Sequence, residues 1–117
     1  MAYRLVYVTA PYSGDRANLA RARRWLHWCW RTYPGHGFLA PWIDACEALP
    51  ETPENRAAGL RFDAEVIALA DEVWLVGDRV SVGMAHERDA AIKAGIAVRD
   101  MTAIGPEPPD DLNAAVA

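Results

Sequence analysis

The run Ser81-Val82-Gly83-Met84-Ala85-His86-Glu87 has the residue types and spacing to hold a small anionic ligand and act on it. Ser81 is a natural helix N-cap, and the first turn of a helix offers unpaired N–H groups at the positive end of its dipole. Gly83 weakens a helix interior but lets a ligand approach closely. Glu87 follows Gly83 by four residues, so both lie on one helical face. At a rise of ~1.5 Å per residue, cap, open floor and carboxylate stack within roughly 6–9 Å, about the span of a phosphorylated sugar. A plain capped helix with a solvated glutamate has the same spacing and is the competing account.

Asp63 is the second informative residue. In a helix over 54–70 it shares a stripe with Leu60, Ile67 and Ala70. A carboxylate in an apolar stripe is costly to bury unless it is hydrogen-bonded or serves a purpose. A place at the stripe's edge, or a pairing with Arg61 or another arginine, is the alternative. The neighbouring stripe of Phe62, Val66 and Leu69 is read as core. Tyr7, in the first strand, either faces a site or fills the core. Ala10, Tyr12, Ser13 and Gly14 belong to the following loop, where backbone and hydroxyl groups can bind a ligand. Asn18 is expected at the same mouth. His86 points about 100° away from Glu87 around a helix and is read as a surface or interface residue. Asp78 and Arg79 are read as solvated.

Several elements must position these groups. Leu5-Val6-Tyr7-Val8 is a continuous apolar run that suits a strand buried on both faces. A helix capped by Asp15 runs to about Tyr33, and Pro34-Gly35-His36-Gly37 ends it. Phe38-Leu39-Ala40 is a second strand. The stretch Pro41 to Pro53, with its three prolines, is read as a loop beside the site that can include one helical turn. A helix from Glu54 to Ala70 precedes the strand Val73-Trp74-Leu75-Val76. Ser81 caps a third helix to Ala94, Gly95 stops it, and Ile96-Ala97-Val98 is the last strand. Such alternation implies an α/β fold, a flavodoxin-like or Rossmann-like three-layer sandwich with a parallel sheet of four to five strands. Ligands of open parallel sheets bind beyond the carboxyl ends of the strands, which points to loops 9–15 and 77–83. Residues 1–104 form the domain, and 105–117 a proline-rich, acidic tail lying loosely on the surface.

Composition narrows the function. A chain of 117 residues with 52% hydrophobic and 24% charged residues suits one globular domain. A formal net charge of -4 gives no support for binding a nucleic acid polymer, though it leaves room for a local basic pocket. No apolar run is long enough for a membrane span. The start lacks the apolar region of a signal peptide, so the cytoplasm is the expected compartment. Cys29 and Cys46 have neither metal-ligand nor disulfide-framework spacing. Phosphate-loop, dinucleotide, zinc-hydrolase and serine-nucleophile motifs are missing, and neither metal nor cofactor is expected. Trp25, Trp28 and Trp30, with Trp42 and Trp74, are core residues or a subunit interface.

These residues together resemble the nucleoside 2-deoxyribosyltransferase superfamily, above all its nucleoside 5'-monophosphate N-glycosidases. The resemblance rests on Tyr7-Val8-Thr9-Ala10-Pro11-Tyr12, on Asp63 ahead of Asp71-Glu72-Val73-Trp74, and on Ser81, Gly83 and Glu87 as S-x-G-x-x-x-E. Small bacterial and phage relatives of that superfamily share Ala-Pro-Tyr-Ser-Gly-Asp, Leu-Arg-Phe-Asp and Gly-Asp-Arg-Val-Ser-Val-Gly-Met, over roughly residues 4–100. The resemblance implies hydrolysis of the N-glycosidic bond of a (deoxy)nucleoside 5'-monophosphate. Glu87 is then the nucleophile, Asp63 protonates or orients the leaving base, and Tyr7 positions Glu87 or the sugar. Ser81 and Gly83 would hold the 5'-phosphate, with Ala10, Tyr12, Ser13, Gly14 and Trp42 around the substrate. An aspartate commonly stands at the Ser81 place in the transferases, and a serine favours a phosphate. The first loop lacks the arginine of some phosphate-binding members, Ser13 standing near its place. Pro41-Trp42 stands where some members carry a histidine. Base exchange and non-catalytic nucleotide sensing are the alternatives, and the family implies a homodimer.

Overall fold

The computed structural model describes residues 3–110, which run β1 (Arg4–Thr9), α1 (Ala17–Thr32), β2 (His36–Leu39), α2 (Pro41–Ala48), α3 (Pro53–Ile67), β3 (Glu72–Leu75), α4 (Val82–Lys93) and β4 (Ala97–Asp100). The strands form one parallel sheet in the order β2-β1-β3-β4, an α/β architecture compatible with the flavodoxin-like three-layer fold. The chain steps from β1 to β2 on one side and returns to β3 on the other. Between β1 and β3 the winding reverses, and a crevice opens beyond their carboxyl ends.

Central β1 is buried on both faces, so its sequence is a continuous apolar run. Side chains alternate between faces, and the register sets Val8 beside Trp74 and Tyr7 beside Leu39 and Val73. The face bearing Phe38 and Trp74 is covered by α1, whose Trp25, Trp28 and Cys29 are buried. Edge-to-face contacts link Trp28 to Tyr33 (5.6 Å) and Tyr33 to Trp74 (4.9 Å). The opposite face, with Tyr7 and Thr9, lies under α3 and α4, which bury Asp63, Ile67, Met84, Glu87 and Ala91.

Several expectations are corrected. The stretch after β2 is not a loop, because Pro41–Ala48 is a helix. Pro41 sits in its first turn and Pro53 in that of α3, where the missing N–H costs nothing. Trp42 and Ile43 anchor α2 in the core. Of the stripe read as core, Val66 is partly buried and packs against the core, but Phe62 (53% exposed) and Leu69 (79%) do not, because α3 turns Asp63 and Ile67 inward and Leu69 lies in the turn beyond its end. Trp25, Trp28, Trp42 and Trp74 are buried, so no tryptophan face is left for an interface; only Trp30 is half exposed. The tail does not lie loosely where it is described. Trp25 Nε1 donates to the Pro106 carbonyl at 2.9 Å, and Arg24 pairs with Glu107 at 2.5 Å. Residues 111–117 of the tail lie outside the described residues. Among the described residues no helix is long and apolar enough to cross a membrane.

Candidate functional site

The loop after β1 leaves the sheet through Ala10-Pro11 and turns at Ser13 (φ 52°) and Gly14 (φ 77°). A positive φ is uncommon for a serine and easy for a glycine. Asn18 Nδ2 donates to the Tyr12 carbonyl at 2.8 Å and braces this turn from behind. Asn18 therefore does not face the mouth. Arg16 reaches across to the last turn of α2, donating to the carbonyls of Cys46 (3.2 Å) and Glu47 (3.0 Å). A guanidinium there also complements the negative end of the helix dipole. From the other side, Trp42 Nε1 donates to the Val8 carbonyl at 2.8 Å.

Loop, α2, α3 and the start of α4 enclose a cavity of about 620 Å³. Ala10, Tyr12, Ser13 and Trp42 line one side of it, and Asp63, Ser81, Gly83 and Glu87 the other. Gly14 only shapes the loop. Ser81 accepts from Met84 N at 3.3 Å, so its hydroxyl is engaged as the cap of α4. Gly83 does leave open space, since the nearest atom to an added Cβ is Arg56 Nη1 at 3.8 Å.

Glu87, 7% exposed, is sunk in the floor. The Tyr7 hydroxyl donates to its Oε2, and Thr9 Oγ1 donates to its Oε1 at 2.8 Å. Tyr7 has no exposed surface and acts from behind the carboxylate. Burial and the charge of nearby Asp63 push the Glu87 carboxyl up to about 7, against the pull of the Tyr7 and Thr9 hydrogen bonds. Burial pushes Asp63 up to about 6. Burial and both carboxylates raise the Tyr7 phenol, so it stays a hydrogen-bond donor throughout the physiological range.

Thr9 was missed from sequence. It stands two residues after Tyr7, and strand alternation would have placed the two on one face. Arg56 was also missed, although it precedes Asp63 by two helical turns and so shares its side of α3. His86 is exposed, and Asp78 pairs with Arg79 at 3.1 Å on the surface. Among the described residues no group of three His, Cys, Asp or Glu is arranged to hold a metal ion.

Among protein families, one described as a domain of unknown function, DUF7768, matches residues 4–101. No curated protein and no solved structure matches the chain.

Proposed function

The chain belongs to the DUF7768 family, and from its resemblance to the nucleoside 5'-monophosphate N-glycosidases, together with the geometry of its cavity, we propose that it cleaves the N-glycosidic bond of a (deoxy)nucleoside 5'-monophosphate with Glu87 as nucleophile. The observation that carries this reading is the Glu87 carboxylate, nearly sealed from water and held by Tyr7 and Thr9 at the floor of a cavity of about 620 Å³. That volume is in the range of small-molecule sites, roughly 300–1,000 Å³. Trp42, Ala45, Leu49 and Phe62 give it apolar walls suited to a base.

In this reading Glu87 attacks the anomeric carbon, and the bonding pair to the base nitrogen leaves with the base. The base takes its proton from Asp63. Water, deprotonated by Asp63, then attacks the sugar ester, releasing the sugar and restoring the Glu87 carboxylate. Attack needs one proton on the pair, on Asp63 and not on Glu87. Burial raises both carboxyls toward neutrality, so the pair can hold one proton there. Positive charge developing on the sugar draws the anion onto Glu87, and the two carboxyls titrate as a coupled pair.

The test is chromatography of a nucleotide panel after incubation with wild type and Glu87→Ala. Wild type should release free base, and the variant should lose on the order of 10³-fold or more in rate. Base release undiminished in Glu87→Ala would remove Glu87 as the nucleophile.

A further inference from the structure

Arg56 is the only basic side chain among the described residues lining the cavity. It leaves the first turn of α3, and its Nη1 is 3.8 Å from the point a Cβ on Gly83 would occupy. That places a guanidinium at the N-terminal end of α4, where the helix dipole disfavours a cation. The N–H groups of Val82 and Gly83, in the first turn, have no intrahelical acceptor, and the Ser81 cap serves Met84 instead. Two sources of positive potential thus converge on one wall of the cavity. What answers them is Glu51, whose Oε1 accepts from Arg56 Nε at 2.8 Å, with both side chains about two-fifths exposed. Tyr12 supports the guanidinium from one side, its ring centroid 6.0 Å from Arg56 Cζ.

We propose that Arg56 is the residue that selects a phosphorylated substrate, and that it exchanges its Glu51 partner for the phosphate. This rests on the glycosidase reading and names the group behind its phosphate preference. An exposed ion pair such as Glu51–Arg56 is weak. A phosphomonoester offers more charge and a forked fit to the guanidinium, so exchange of Glu51 for phosphate is favourable. Gly83 makes the approach possible, since a larger side chain there would stand between Arg56 and the helix start. Glu87 lies one helical turn deeper, roughly 6 Å along the axis, which separates the reacting carboxylate from the phosphate. The arginine missing from the first loop is thereby replaced from a different element.

Two measurements test this. The first is kcat/KM for a deoxynucleoside 5'-monophosphate and for its unphosphorylated nucleoside, in wild type, Arg56→Gln, Arg56→Lys and Glu51→Gln. The nucleotide-to-nucleoside preference should fall on the order of 10–100-fold in Arg56→Gln, and less in Arg56→Lys. In Glu51→Gln, KM for the nucleotide should fall several-fold. An equal effect on both substrates, or an unchanged preference in Arg56→Gln, overturns the proposal. The second is calorimetry with 2-deoxyribose 5-phosphate, which needs no turnover. Binding by wild type that weakens at least 10-fold in Arg56→Gln supports the anion site even if no nucleotide is cleaved, a result that would instead count against the glycosidase reading. Equal binding by both, or none by wild type, overturns the role of Arg56.

Discussion

Glu87 and Asp63 are acids whose carboxyls burial pushes upward, to about 7 and about 6, and this has a consequence for stability. An ordinary glutamate gives up its proton near 4.5, whereas folded Glu87 holds it to about 7. Between those values the folded state binds the extra proton, so the stability from this group is complete below the lower value and declines as pH rises through the upper one. For Glu87 the decline is roughly 3 kcal/mol. Glu87→Gln keeps the shape and removes the titration. Denaturant unfolding at pH 5 and pH 8 should therefore show the variant gaining about 2–3 kcal/mol on wild type across that interval. Parallel pH dependence of the two proteins would mean that Glu87 is not buried as described. The same burial lets the pair of carboxyls keep one proton near neutrality, which the proposed cleavage requires on Asp63.

At the scale of elements, the site depends on how closely the loops after β1 and β3 approach each other. Gly77 (φ +97°) ends β3 against Pro11, and an added Cβ would lie 2.6 Å from Pro11 Cδ and 3.1 Å from Cγ. A proline ring cannot swing aside as a long side chain can, and the left-handed backbone is itself unfavourable for alanine. Gly77→Ala should lower unfolding free energy by about 2–4 kcal/mol, read as a fall in denaturant midpoint at unchanged slope. It should also weaken ligand binding, because the displaced loop carries Tyr12 and Ser13. A midpoint equal to wild type would show that the two loops do not touch.

Across the whole molecule, the segment after β4 fastens the outer layer. Pro106 accepts from the indole of buried Trp25, and Glu107 pairs with Arg24 and with Arg21 (3.5 Å) on the same helix. A chain ending at Ile104 would leave the Trp25 donor without its acceptor and the two arginines without Glu107. The exposed ion pairs contribute little, and the loss of the indole hydrogen bond and of the cover over Trp25 dominates. Removal of residues 105–117 should cost about 1–3 kcal/mol and lower the thermal midpoint. An unaltered midpoint would show the segment to be dispensable for the fold.

The α/β class, the parallel sheet and the turn where Ser81 begins a helix follow from periodicity and capping, which are local properties of the chain. Buried β1 announces itself as Leu5-Val6-Tyr7-Val8 because a central strand has no polar face to alternate. Helix α2 escaped notice because Pro41 and Pro53 look like breakers in sequence and act as starters once a helix follows them. Phe62 and Leu69 were misplaced because which side of an apolar helix meets the sheet depends on its neighbours, not on its own spacing. Only the tertiary structure decided that Tyr7 and Thr9 meet Glu87 and that Arg56 lies beside Gly83. Those contacts join residues 27 to 80 positions apart, and such distances close only through the winding of β1, β3 and the helices that cover them.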